Sequence, residues 1–209
     1  MWLDAGSGTL ASLQKHIALP QIDGVIVSHQ HPDHWSDLEG LAIAFKWALR
    51  VRGPMVFAPS GLRELMRVGQ AAEVFDWQLI DDDSQVAVGD IRLTFSRTDH
   101  PVPTFAVRAE GVGRNLGYSA DTGPAWGLSN LGDDLHLALC EASFLADKEG
   151  TVQHMSARQA GQSAADAGAE RLLITHLMPG VDKRAASAEA AESFGRLVEV
   201  AEMGATYNI

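Results

Sequence analysis

The chain has 209 residues, 46% of them hydrophobic and 21% charged, with a net charge of −11 and a single cysteine. That length supports one domain with a real core, and the acidity argues against binding long nucleic acid through the general surface. One cysteine excludes an internal disulfide and agrees with a reducing, cytoplasmic setting. Lys46 and Arg50 interrupt the longest helical stretch, no apolar run reaches membrane-spanning length, and no signal peptide is visible.

In chain order, Gly24-Val25-Ile26-Val27-Ser28 reads as a buried strand. Pro32 cannot continue a central strand, so the residues after Ser28 turn into a loop. Residues 38–49 read as a helix, with Leu38, Leu41, Ala42, Phe45 and Leu49 on one apolar face. Residues 54–58 form a strand, followed by a short helix opened by Ser60. Alternation from Gln85 to Phe95 around Gly89-Asp90 predicts a hairpin. Further strands are expected at 105–108, 116–119 and 135–141. Cys140 lies in the last of these and reads as a small buried hydrophobe. Ser156-Ala157-Arg158-Gln159 is a capping box, so a helix runs from 157 to 167, with Gly168 ending it. A buried strand at 171–176, a helix at 187–194 and two short strands complete the chain. The order defines an α/β layered architecture, read as a single domain over 1–209. Asp81-Asp82-Asp83 and Asp133-Asp134 are read as solvated loop charges.

The chemistry concentrates in His29-Gln30-His31-Pro32-Asp33-His34. His29, His31, Asp33 and His34 offer imidazoles and a carboxylate, a donor set suited to a cation such as Zn²⁺. The turn at Pro32 could aim His29 and His31 at one metal, and Asp33 and His34 at another. Three more candidates follow expected strands: His100, Asp121 and His176. Functional groups at the carboxyl ends of strands are expected of layered α/β sites. His16 and His136 match no such pattern and are assigned to surface or packing.

His29-x-His31-x-Asp33-His34, followed by His100, Asp121 and His176 and preceded by Leu3-Asp4-Ala5-Gly6-Ser7-Gly8, resembles the metallo-β-lactamase superfamily of binuclear metal hydrolases. The resemblance covers nearly the whole chain and implies a four-layer αββα sandwich. It implies that His29, His31 and His100 bind one divalent ion, that Asp33, His34 and His176 bind a second, and that Asp121 bridges them. Zinc suits these donors, with manganese or iron as alternatives. Asp4 matches the carboxylate that positions a ligand loop; a turn-capping aspartate is the competing reading. The presence of His34, with Asp rather than Cys at 121, is similar to the ribonuclease Z and cyclic-nucleotide phosphodiesterase branch. Cys140-Glu141-Ala142-Ser143-Phe144 and His154-Met155-Ser156 resemble two further segments of that branch. By that resemblance a metal-bridging hydroxide attacks phosphorus, Asp33 accepts a hydrogen bond from it, and His154, oriented by Glu141, protonates the leaving oxygen.

Three departures bear on substrate and assembly. Met1-Trp2 leads directly into the first motif, so either the family's preceding strands are missing or the given start is internal to a longer chain; a missing strand would leave a sheet edge that a homodimer could cover. No long Gly-rich, basic arm of the kind that grips transfer RNA lies between Arg50 and His100. With the negative charge, this favours a small-molecule or short phosphodiester substrate, such as a cyclic nucleotide, over transfer RNA. Residues 35–39 also set Gly40-Leu41 further from the ligand run than is commonest. Transfer-RNA 3′ processing, lactone or thioester hydrolysis, and a non-catalytic metal-stabilised scaffold are the competing readings; no membrane partner is expected.

Overall fold

The computed structural model describes residues 1–209. The chain divides into two compact units, Met1–Asp81 and Asp82–Ile209, each built on its own sheet. No helix is long and apolar enough to cross a membrane.

The first unit carries a four-stranded, wholly parallel sheet in the order β1 (Trp2–Leu3), β2 (Gly24–Ile26), β3 (Met55–Ala58), β4 (Asp76–Leu79). Every residue of β2 is buried, as its unbroken apolar run requires of a strand covered on both faces. Helix α1 (Thr9–Leu13) joins β1 to β2, and α2 (Asp37–Ile43) lies between β2 and β3. Val25, Val27, Val56 and Ala58 share one core with Leu38, Leu41, Ala42 and Phe45. The apolar face expected at 38–49 is therefore the buried one, except at its end, where Leu49 is exposed. The helix also changes character there. After Ile43 it widens into a π-helical turn, Ala44–Leu49, and stops at Arg50, whose φ is 56°. The short helix after β3, α3 (Leu62–Leu65), is capped by Gly61 at φ 85° rather than by Ser60.

The second unit holds a seven-stranded mixed sheet. Its strands are β5 (Gln85–Val88), β6 (Ile91–Arg97), β7 (Phe105–Gly111), β8 (Arg114–Tyr118), β9 (Leu137–Glu141), β10 (Leu172–Thr175) and β11 (Val198–Val200), in the spatial order β11-β10-β9-β8-β7-β6-β5. The hairpin turn falls at Gly89-Asp90 as expected, with Val88 opposite Ile91. Strands β6 and β8 are both antiparallel to β7, and β8, β9 and β10 are mutually parallel. It follows that β6, β8, β9 and β10 all run the same way and end along one edge of the sheet.

Helix α4 (Ala157–Asp166) connects β9 to β10, and α5 (Lys183–Phe194) connects β10 to β11. The capping box forms as the sequence demands: Ser156 Oγ accepts from Gln159 N, and the Gln159 side chain accepts from Ser156 N. Helix α5 starts four residues before the expected Ser187, because Asp182 accepts from the backbone N–H groups of Arg184 and Ala185 at 2.8 and 3.3 Å. One strand, β11, follows it instead of two. Helices α4 and α5 meet through small side chains, with Ala157, Ala160, Ala164, Ala186 and Ala190 all buried. A Cβ on Gly161 would lie 2.2 Å from the carbonyl oxygen of Ala190. Gly161→Ala should therefore force the helices apart and cost about 1–3 kcal/mol, as overpacking does. Thermal unfolding measures it, and an unchanged midpoint would show that the helices do not approach this closely.

Candidate metal centre

In the first unit the ligand run leaves β2 where the sequence said it should. Asp4, just past β1, and Ser28, just past β2, stand at the carboxyl ends of neighbouring parallel strands. Pro32 opens a 3-10 turn, Pro32–His34, whose missing N–H costs nothing at that position. Asp4 binds three donors. Its Oδ1 accepts from Ser28 N at 2.7 Å, and its Oδ2 accepts from Ser28 Oγ at 2.8 Å and from His34 Nδ1 at 2.7 Å. Asp4 thus ties the His34 side chain to Ser28 and does more than cap a turn. Ser28 spends its proton on Asp4, so its oxygen accepts from His29 Nδ1 at 3.0 Å. Both histidines thus carry their proton on Nδ1 and present Nε2 as a donor atom, the tautomer following from the hydrogen-bond network. His29 Nε2 lies 2.9 Å from His31 Nδ1, and the His29 and His34 ring centres are 4.1 Å apart. Asp33 is largely exposed, with Oδ2 3.6 Å from His34 Nε2.

The loop is held by backbone as well. Ala5 N donates to His34 O at 2.7 Å and Asp37 N to Ala5 O at 2.8 Å. A Cβ on Gly6 would fall 1.8 Å from the Asp33 carbonyl oxygen, so the first motif needs glycine there for space, not for a positive φ.

In the second unit the candidates cluster along the common strand edge. His100 follows β6, Asp121 follows β8, Glu141 ends β9, and His176 follows β10. Glu141 is buried and accepts four donors: Thr122 N at 2.6 Å and His154 Nδ1 at 2.8 Å on Oε1, Ser143 Oγ at 2.8 Å and Met155 N at 3.3 Å on Oε2. The His154 segment is brought in by a short parallel bridge between Phe144 and Ser156. His154 stacks on His176 at 5.2 Å between ring centres and meets the His100 ring edge-on at 5.3 Å. His176 Nε2 lies 3.5 Å from Asp121 Oδ2. Donor atoms of Asp121, His154 and His176 all lie within 4.8 Å of one another. These residues, two imidazoles and a carboxylate, fit a divalent cation.

Strain marks these places. Asp4, Ala120 and His176 adopt φ of 52°, 52° and 59°, a region that costs non-glycine residues of the order of 1–3 kcal/mol. Each sits within two residues of a strand's end, where the chain must turn sharply. Sequence reasoning missed the tethers that offset this. Ser28 and Ser143 are ordinary serines by type, and only their positions next to His29 and two residues after Glu141 signal them. Asp99 was also missed: its side chain accepts from Gln153 Nε2 at 2.5 Å and Ala125 N at 3.1 Å, tying the loop after β8 to the His154 segment. His136 pairs with Asn115 across β8 and β9, a packing role as expected.

A family model described as a beta-lactamase superfamily domain matches residues 2–177. The chain therefore belongs to the metallo-β-lactamase superfamily, and its fold is the α/β fold of that family. The uncharacterized protein Rv1339 of Mycobacterium tuberculosis is 30% identical over 220 residues, covering 99% of this chain and 80% of that protein. The probable metallo-hydrolase YhfI of Bacillus subtilis is 30% identical over 187 residues, 84% of this chain and 74% of that one. The crystal structure of YhfI superposes with a TM-score of 0.86 over 97% of this chain and 83% of that chain, at 27% identity. The short form of human tRNase Z shares the fold, with a TM-score of 0.73 over 96% of this chain and 84% of that chain, at 20% identity.

Cys140 is buried beside this network. Burial pushes its thiol up from 9.0 to about 12, the neighbouring Glu141 charge adds to the rise, and the Ser119 hydrogen bond opposes it. Folding therefore keeps the thiol protonated, a stabilisation present below pH 9.0 and lost as pH climbs towards 12. In the folded protein Cys140 should resist a thiol reagent such as DTNB at pH 8 and react fully once unfolded; prompt reaction in the native state would contradict its burial. Gly6→Ala should lower both the thermal midpoint and the bound metal, measured by elemental analysis, and wild-type values for both would mean the Asp33 loop is not held as described.

Proposed function

We propose that this protein is a binuclear metal-dependent phosphodiesterase acting on a small phosphodiester such as a cyclic nucleotide. Family membership and the two donor sets support a metal-dependent hydrolase. The observation that carries the finer reading is the Glu141–His154 pair. A buried carboxylate holds Nδ1 of an imidazole at 2.8 Å, fixing the ring and leaving Nε2 as its proton-exchanging atom. Phosphodiester cleavage needs such a group, because the departing alkoxide is a poor leaving group until protonated.

In this reading His29, His31 and His100 hold one ion, Asp33, His34 and His176 hold the other, and Asp121 serves both. When bound, a divalent pair supplies Lewis acidity at the phosphoryl group and a nucleophile at neutral pH. The chain's own residues do the rest. Asp4 and Ser28 keep His29 and His34 in the ligating tautomer. Asp33, the most exposed member, accepts a hydrogen bond from the attacking hydroxide. Glu141 stabilises His154 as imidazolium, and His154 Nε2 delivers its proton to the leaving oxygen.

Charge limits the size of the substrate. A net charge of −11 repels a long polyanion, whereas a small phosphodiester meets only the local field of the metals. Transfer-RNA 3′ processing is the second reading, favoured by the fold shared with human tRNase Z.

The metal-loaded protein should hydrolyse cyclic AMP and bis-p-nitrophenyl phosphate faster than it trims a precursor transfer RNA with a 3′ trailer or opens an acyl lactone. Activity should vanish with a chelator and return with zinc or manganese. His154→Ala should lower kcat by about 10²–10⁴-fold, the range of general acid catalysis, with metal content unchanged. Turnover of the transfer RNA alone, or of the lactone alone, would replace this reading; equal loss of metal and activity in the variant would make His154 a ligand instead of an acid.

A further inference from the structure

Ser143 is fully buried at the carboxyl end of β9 and has no part in the mechanism above. Its hydroxyl oxygen stands 2.8 Å from Glu141 Oε2 and 2.9 Å from His176 Nδ1. A hydroxyl has one proton to give. A carboxylate oxygen only accepts, so that proton belongs to Glu141, and the oxygen faces His176 Nδ1 with lone pairs alone. His176 must then carry its hydrogen on Nδ1, which leaves Nε2, the atom 3.5 Å from Asp121 Oδ2, as the electron-pair donor.

We propose that Ser143 is a positioning residue that fixes the tautomer and orientation of His176 by tying it to Glu141, the same carboxylate that holds His154. The metal ligand and the proton donor then hang from one group. The backbone of His176 sits at φ 59°, a conformation uncommon for a residue other than glycine and held here by its surroundings. The arrangement repeats that of the first unit, where Ser28 stands between Asp4 and His29 Nδ1. A partner to the non-ligating nitrogen of a metal-binding histidine typically matters 10- to 100-fold in affinity.

The inference uses the proposed function only in taking His176 as a metal ligand, and it is tested without any substrate. Ser143 N donates to Met155 O at 2.9 Å and Met178 N to Ser143 O at 3.0 Å, so backbone bonds hold the residue in place whatever its side chain, and Ser143→Ala should fold. In long-range ¹⁵N–¹H spectra of the metal-free protein, His176 should be the Nδ1–H tautomer. In Ser143→Ala it should lose that single form while His154 keeps its Nδ1–H signal, and Ser143→Thr, which restores a hydroxyl, should recover it. By chelator competition, Ser143→Ala should bind one of its zinc ions about 10- to 100-fold more weakly, and Ser143→Thr should bind near the wild-type level. An Nε2–H tautomer of His176 in the wild type overturns the proposal, as does an alanine variant with unchanged spectra and affinity. A protein that passes these tests yet cleaves no phosphodiester overturns the assigned reaction and leaves the role of Ser143 standing.

Discussion

Each unit's chemistry depends on one carboxylate that satisfies several donors at once, Asp4 in the first and Glu141 in the second. Asp4 takes three donors and Glu141 four. A carboxylate accepting that many hydrogen bonds is fixed in position and orientation, and every group that donates to it is fixed in turn. In both units it reaches one histidine directly and another through a serine. This arrangement answers a problem specific to histidine ligands. A neutral imidazole has two tautomers, and only one presents its lone pair at the ligating nitrogen. An acceptor on Nδ1 selects that tautomer before any metal arrives.

The strands decide where these groups can stand. In the first sheet β1 and β2 are parallel neighbours, which brings Asp4 and Ser28 side by side. In the second sheet the antiparallel meander through β7 returns β6 and β8 to a common direction, and two helical crossovers keep β9 and β10 parallel to them. Residues far apart in sequence, from His100 to His176, therefore gather along one edge. The sharp turns this requires appear as left-handed backbone at Asp4, Ala120 and His176. Strain of that kind persists only where surrounding contacts over-determine the geometry. Two of the three residues are themselves members of the hydrogen-bonded networks.

Much of this was legible in the sequence, for reasons that differ by element. The ligand run was legible because three histidines and an aspartate in six residues have few structural uses. Helix α4 was legible because a capping box needs both its partners at fixed spacing, and Gly168, at φ 62°, supplies the left-handed stop. What escaped is equally specific. Strand β1 is two residues long and β4, Asp76–Leu79, has no alternating or apolar pattern. The π-helical turn at 44–49 was hidden because an apolar face at 3.6-residue spacing reads alike in either helix over so short a stretch. Helix α5 began early because Asp182, an aspartate in a loop, gave no apolar signal with which to align its cap. At the site, Glu141 and His154 were found through resemblance, whereas nothing in a serine's identity distinguishes a tether from a surface hydroxyl.

The two serines also explain why carboxylates rather than amides stand at these positions. An asparagine or glutamine could accept from a histidine Nδ1 through its oxygen, but its NH₂ group would then face the remaining donors. In Glu141 those are the Met155 backbone N–H and the Ser143 hydroxyl, both on Oε2. The Met155 N–H cannot reverse, so it would lose its partner in a buried site, at a cost of about 1–3 kcal/mol. The hydroxyl could reverse, accepting from the amide and donating to His176 Nδ1, and that reversal would select the wrong tautomer of His176. The negative charge is thus what gives the network a single direction: every proton along it points towards the carboxylate, and His176, reached through Ser143, is left with its lone pair on Nε2.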